Sequence, residues 1–234
     1  MPNHIENRLE IIGTRKQVKE VFEAFNTCIP RHEHLAHNGD VICNKTGEKY
    51  AYGWYNKHTN VFTRRNEPDL IGIPEGWEIE YEPDYNHFPD FNKVIPQPDN
   101  IFNGDLGMED RERCAREGIP TWLDWNCANW GTKWNSYSCA KKKSNIFTWQ
   151  TAWSGVPRIV VAISKKFPTI EFLYEYADED IGCNTGIYKL LNGIVEEIHY
   201  PNNSIEAYEL AFKLDPTHKK YYKLVDGKYV SKED

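Results

Sequence analysis

The stretch WLDWNCANWGTKWN, residues 122–135, places four indoles within fourteen residues: Trp122, Trp125, Trp130 and Trp134. Asn126, Asn129, Gly131 and Lys133 stand among them. Indole faces stack planar groups, Asn amides read a base edge, and a lysine holds an anion. Trp149 and Trp153 follow on the next apolar run and can supply a second wall. Arg158 opens a helix, whose first-turn N–H groups also favour anions. Trp125, Asn126, Asn129, Lys133, Trp149, Trp153 and Arg158 therefore form a candidate site for a small, planar, anionic ligand. The same residues also suit a purely structural role, because Trp is mostly buried wherever it occurs. Trp130, beside Gly131, is expected to pack, and Lys133 to meet a ligand.

Other chemistries have weaker signatures. RHEHLAHNGD offers His32, His34 and His37 with Glu33 and Asp40 as metal ligands, but it lacks the HExxH spacing of zinc proteases. A polar surface loop is the alternative. YEPDYNHFPDFN gathers Glu82, Asp84 and Asp90 around His87, from which an acid–base pair can be built. Their proline-rich setting equally fits solvated carboxylates. Cys127 has no histidine near it in sequence to act as a base, and Ser154 lacks the GxSxG turn. Neither GxxxxGK[ST] nor GxGxxG occurs. The sequence therefore reads as non-catalytic, with no cofactor expected.

These residues must be positioned by folded elements. NRLEIIG alternates as a strand ended by Gly13, and Thr14 caps a helix with Val18, Val21, Phe22 and Phe25 at helical spacing. KWNSYSCA and IFTWQTAWS read as strands, over 134–140 and 146–153. Pro157 opens a helix with Ile159, Val160, Ile163 and Phe167 on its buried stripe. Residues 169–176 form a further strand of strict alternation. The order is the split βαβ of a ferredoxin-like α+β fold: an antiparallel sheet with both helices on one face. The prediction is a single domain over 1–234. Its core comprises 1–27 and 122–182, with a long insertion over 28–121 after the first helix. Residues 183–234 add a hairpin turned at Asn192-Gly193 and a helix that Asn203 or Ser204 can cap. Within the insertion, EKYAYGWYN and NVFTRR read as a hairpin, GWEIEYEPDY as a strand, and FNKVIPQPDNIF as an extended or turn segment.

The bulk numbers narrow the partners. The 234 residues can bury a sizeable core, and 8 Trp with 14 Tyr make the chain rich in aromatics. A net charge of −7 gives no help from counterion release, so non-specific nucleic-acid binding is not expected. Lys133 with Lys141, Lys142 and Lys143 forms either a local basic site or a solvated hairpin end. No apolar run reaches membrane length, and MPNHIENR lacks the pattern of a signal peptide. The six cysteines have irregular spacing and are expected to be free thiols in a cytoplasmic protein.

MPN with N.L.I.G at the start, FNKVIPQP, WNCANWGTKWN, F.TAWS.P and KKFP before an aromatic strand together resemble the YubB-type ferredoxin-like domain family. Bacteriophages and plasmids carry this family, and residues 31–85 fit it least. His4 stands where the family usually has Trp. The resemblance implies the fold, and it implies a phage or mobile-element accessory protein in the host cytoplasm. Three functions fit that setting. One is sequestration of a nucleotide-type signal of host defence by the aromatic site. A second is an interaction module or inhibitor acting on a host or phage protein. The third is a metal-dependent enzyme using the histidine loop.

Overall fold

Strand β1 (His4–Ile12) alternates strictly, with Ile5, Leu9 and Ile11 fully buried on one face. Thr14 then caps helix α1 (Arg15–Phe25) in a capping box with Gln17. In this computed structural model, residues 3–29, 37–43, 49–56, 61–64, 70–71, 77–80 and 85–232 are described, with the side chains of 3–27 and 87–232. The chain divides into two compact units, Met1–Thr27 with His87–Asp234, and Cys28–Asn86. The inserted unit closes at residue 86, not 121, because Phe88 and Phe91 are core residues of the first unit.

The inserted unit holds a five-stranded antiparallel sheet. Its strands are β3 (His37–Cys43), β4 (Lys49–Asn56), β5 (Val61–Arg64), β6 (Leu70–Ile71) and β7 (Trp77–Glu80), in the order β6-β5-β4-β3-β7. The β4–β5 pair is the hairpin expected from EKYAYGWYN and NVFTRR. Strands β2 (Thr27–Ile29) and β8 (Tyr85–His87) pair where the chain leaves and returns. His32, Glu33, His34, Glu82 and Asp84 lie outside the described residues. His37 and Asp40 lie on β3, with their side chains outside them.

In the first unit the chain continues through three helices, α2 (Phe91–Val94), α3 (Met108–Glu117) and α4 (Trp122–Asn129). Strands β9 (Tyr137–Lys143) and β10 (Ile146–Ala152) follow, then α5 (Pro157–Lys166), β11 (Glu171–Asp178), β12 (Gly186–Leu191), β13 (Ile194–Ile198) and α6 (Ile205–Leu214). A 3₁₀ turn, Pro216–Tyr221, leads to the hairpin of β14 (Tyr222–Val225) and β15 (Lys228–Ser231).

The main sheet is antiparallel throughout, in the order β13-β12-β11-β1-β10-β9. Among the four strands of the core, β11, β1, β10 and β9, the order is fourth, first, third, second, which is the split βαβ arrangement. Helices α1 and α5 cover one face with a single core that includes Val21, Phe25, Ile159, Ile163, Trp149 and Tyr174. The fold is ferredoxin-like α+β, as the alternation and helix stripes imply. The β12–β13 hairpin extends the sheet beyond β11, and its turn has Asn192 and Gly193 both at positive φ.

Two local readings are corrected. Residues 122–129 form helix α4, and β9 starts at Tyr137 and not at 134. Thr121 caps α4: its hydroxyl accepts from Asp124 N–H at 3.2 Å and donates to the Asp124 carboxylate at 2.6 Å. FNKV is a short helix, not an extended segment, capped by Asp90.

Helix α6, capped by Ser204, packs on the opposite sheet face. Tyr208, Ala211 and Phe212 cluster with Ala177 and Ile181. That face carries Arg8 and Glu175. The Glu175 carboxylate is buried, accepting from Arg8 at 2.6 Å and from Lys213 of α6 at 2.5 and 2.8 Å.

Candidate functional site

A buried polar network organises one end of the sheet. Asn7, fully enclosed, donates to the Ile5 and Trp149 carbonyls and to the Thr151 hydroxyl. The Tyr174 hydroxyl donates to Asn7 Oδ1 at 2.6 Å and accepts from Val156 N–H at 2.6 Å. Every member is satisfied, so the network can stabilise and specify the turn after β10. A Cβ on Gly155 would meet the Tyr176 ring at 2.5 Å, so only glycine fits there.

That turn is stitched to the segment after α4. Thr132 Oγ1 donates to the Ala152 carbonyl at 2.7 Å and accepts from Ala152 N–H at 3.1 Å. The Ser154 hydroxyl donates to the Gly131 carbonyl. NWGTKW and TAWSGVP, distant in sequence, are therefore one structural feature. Trp153 sits at its apex with φ 76°. A bulky residue in the left-handed region is strained, and it persists only where the surroundings over-determine it. Here Trp153 N–H donates to the Asn3 carbonyl at 2.9 Å, and Asn184 Nδ2 donates to the Trp153 carbonyl at 3.3 Å.

The strain places the Trp153 indole at the surface, 44% exposed, near the 37%-exposed Trp134. The Lys133 ammonium lies between them, 4.5 Å from the Trp134 ring centre and 5.4 Å from that of Trp153. Lys133 makes no ion pair among the described residues. Beside Trp134 stands Tyr137, edge-on at 6.2 Å, and the Tyr137 hydroxyl is 2.7 Å from His4 Nδ1. Burial first, then the charges of Glu179 and Glu6, push the Tyr137 phenol up to about 12. It therefore stays protonated. His4 thus joins the aromatic cluster edge-on to Tyr137.

The seven residues expected to form a ligand site separate into two groups. Lys133 and Trp153 are brought together. Trp149 is fully buried, stacked with Tyr174 at 6.0 Å, so it is core and not a pocket wall. Asn126 is buried, with Nδ2 bonded to the Lys133 carbonyl at 2.9 Å and Oδ1 accepting from Gln97 at 2.6 Å. Asn129 donates to the Trp125 carbonyl at 2.9 Å, inside its own helix. Trp125 packs edge-on against Trp130 at 5.6 Å. Arg158 donates to the Ala128 carbonyl near the end of α4, where a cation is favoured. These five build the frame. Trp130 is buried, with its indole N–H on the Ile95 carbonyl at 2.9 Å. Trp134, Tyr137 and His4 are additions; Trp134 precedes β9 and is exposed.

The other candidates are structural where they are described. Asp90 caps α2 and accepts from Asn92 N–H, Asn135 Nδ2 and the Thr27 hydroxyl. His87 Nδ1 is 2.5 Å from the Ser136 carbonyl. Burial and Asp124 push the Cys127 thiol up, the opposite of nucleophile activation. Cys114, Cys127, Cys139 and Cys183 are free thiols. Among the described residues no group of three or more His, Cys, Asp or Glu is placed to hold a metal, and no helix is long and apolar enough to cross a membrane.

The sheet order, with α1 and α5 on one face and the stitched turn at its end, defines a ferredoxin-like domain. Residues 130–216, from Trp130 through α6 and into the 3₁₀ turn, match a family model described as a ferredoxin-like domain in Api92-like protein. The matched span contains Lys133, Trp134 and Trp153. A solved structure similar to this chain is that of protein api92 from Yersinia pseudotuberculosis, at 12% identity, covering 86% of this chain and 99% of that one with a TM-score of 0.40. No curated protein matches.

Proposed function

We propose that this protein is a non-catalytic binding protein that holds a small, planar, anionic ligand between Trp134 and Trp153, with Lys133 as counter-charge. One observation carries the reading: an ammonium with no carboxylate partner among the described residues lies between two exposed indoles, one of them held out on strained backbone. Exposed indoles cost hydrophobic free energy, and left-handed backbone at Trp costs more. Packing offsets these costs only for the covered part of each ring, so a ligand that covers the exposed part is the natural beneficiary. A nucleotide has the required chemistry, with a base to stack and a phosphate to pair.

The resemblance to YubB-type proteins supports a phage or mobile-element setting, in which sequestering a nucleotide-type signal would counter host defence in the host cytoplasm. The test is ligand capture. Purified protein and its Lys133→Ala variant are incubated with lysate of phage-infected bacteria, washed and denatured, and released small molecules are identified by mass spectrometry. The account expects a phosphorylated, base-containing compound from the native protein and little from the variant. Equal release from both, or no such compound from either, refutes it.

A further inference from the structure

Lys142 and Lys143 are consecutive, yet both line one cleft of about 450 Å³ on the α6 side of the sheet. Regular strands send neighbouring side chains to opposite faces. Strand β9 departs from that rule twice. Ile146 and Phe147 of β10 pair with Lys143 and Lys141, so Lys142 is an extra residue. Thr148 and Gln150 pair with Ala140 and Tyr137, which leaves a second extra residue near Ser138, at φ 51°. Both irregularities are β-bulges, devices that re-aim side chains beside functional sites. Ser138, Lys142 and Lys143 all line the cleft. Lys141 instead reaches the α1 face, 5.8 Å from the Phe22 ring centre and 5.6 Å from that of Phe147.

Among the described residues, the charges facing the cleft leave these two lysines as its cations without an ion pair, although the Lys142 charge also acts on Glu6. Arg8 and Lys213 also line it, but both are bound to the buried Glu175, and Arg8 holds Glu10 as well. Neither Lys142 nor Lys143 makes an ion pair among the described residues. Glu6 is the remaining acid of the lining, hydrogen-bonded by Gln150, and burial raises its pKa. Thr148, Gln150 and Ser138 add hydrogen-bonding groups, and Leu214 with Pro216 forms an apolar wall. The volume falls in the range of small-molecule sites.

We propose that this cleft is a second, independent site, which binds the phosphate or diphosphate group of a small molecule through Lys142 and Lys143. It does not depend on the indole site, which uses Lys133, Trp134 and Trp153.

Inorganic pyrophosphate is the probe, titrated into ¹⁵N-labelled full-length protein at low salt. Saturable amide shifts are expected over Ser138–Lys143, Thr148 and Gln150. The Lys142→Gln/Lys143→Gln variant should bind at least about tenfold more weakly, since each lysine contributes a charge-assisted hydrogen bond. Lys142→Arg/Lys143→Arg should retain binding, and Lys165→Gln/Lys166→Gln, an equal charge loss on α5, should leave it unchanged. Lys133→Ala should also leave the cleft shifts intact, which separates failure here from failure of the indole site. Should the Gln pair not fold, Glu6→Gln must tighten binding by removing a negative charge. Absent or non-saturating shifts, equal affinity in a folded Gln pair, or weaker binding in Glu6→Gln would overturn the proposal.

Discussion

Replacing Trp153 by glycine and by alanine gives an inverted order of stability. Both variants remove the same partly buried indole. An indole buries about 200 Å² when fully covered, and Trp153 is 44% exposed. Roughly 100 Å² of apolar contact is therefore lost in either case, about 2–3 kcal/mol. The variants differ only in backbone. Alanine keeps the left-handed conformation at φ 76°, at a cost of about 1–2 kcal/mol for a residue with a Cβ. Glycine avoids that cost but loses about 0.5–1 kcal/mol more conformational entropy on folding. The glycine variant should be the more stable by about 0.5–1 kcal/mol, although glycine is ordinarily the less stable choice. Urea unfolding followed by circular dichroism measures the difference. An alanine variant as stable as the glycine variant, or more so, would show that the backbone at 153 is not strained, and the argument for a held-out indole would fail.

Other substitutions probe the frame. Trp130→Ala should destabilise by about 3–5 kcal/mol, because it empties a buried position against Phe91 and unpairs the Ile95 carbonyl; a loss near 1 kcal/mol in urea unfolding would remove Trp130 from the core. Asn7→Ala should cost about 2–3 kcal/mol by stranding the buried Tyr174 hydroxyl, and a cost below about 1 kcal/mol would mean the network does not fix the turn. The Glu6 pKa is raised in the folded protein by burial, so its contribution favours folding below the unfolded Glu value of about 4.3 and opposes it as pH rises through the folded value. Glu6→Gln should therefore raise the melting temperature at pH 7 and lose that gain toward pH 4; a variant less stable at pH 7 would contradict the sign.

Much of this fold is legible because period-2 and helical patterns fix which residues are buried. The alternation in β1 and the stripes of α1 and α5 set the ferredoxin-like core, and Asn192-Gly193 set the added hairpin. The candidate site was legible only in part, for three physical reasons. Phe147, Trp149, Thr151 and Trp153 alternate perfectly on paper, but the strand ends at Ala152, and the left-handed backbone turns Trp153 out to solvent while Trp149 stays in the core. Helix α4 carries a capping signal at Thr121 and Asp124, yet its apolar residues ring the helix and obscure the period. The bulges of β9 break the alternation that assigns faces, so the placement of Lys142 and Lys143 has no one-dimensional signature. Glu175 is buried because α6 covers the second face of the sheet, and the pattern of β11 alone does not reveal that cover.

The proposed ligand enters between Trp134 and Trp153 at Lys133. The most direct test uses the indole N–H resonances of protein labelled with ¹⁵N at tryptophan, titrated with nucleoside monophosphates, cyclic mononucleotides and cyclic dinucleotides. The eight tryptophans give eight such signals. The account predicts that a bound nucleotide moves the signals of Trp134 and Trp153 saturably, leaves those of the core residues Trp130 and Trp149 in place, and has no such effect on Lys133→Ala. No saturable movement with any of these nucleotides, movement centred on Trp130 or Trp149, or an undiminished response in Lys133→Ala would contradict it.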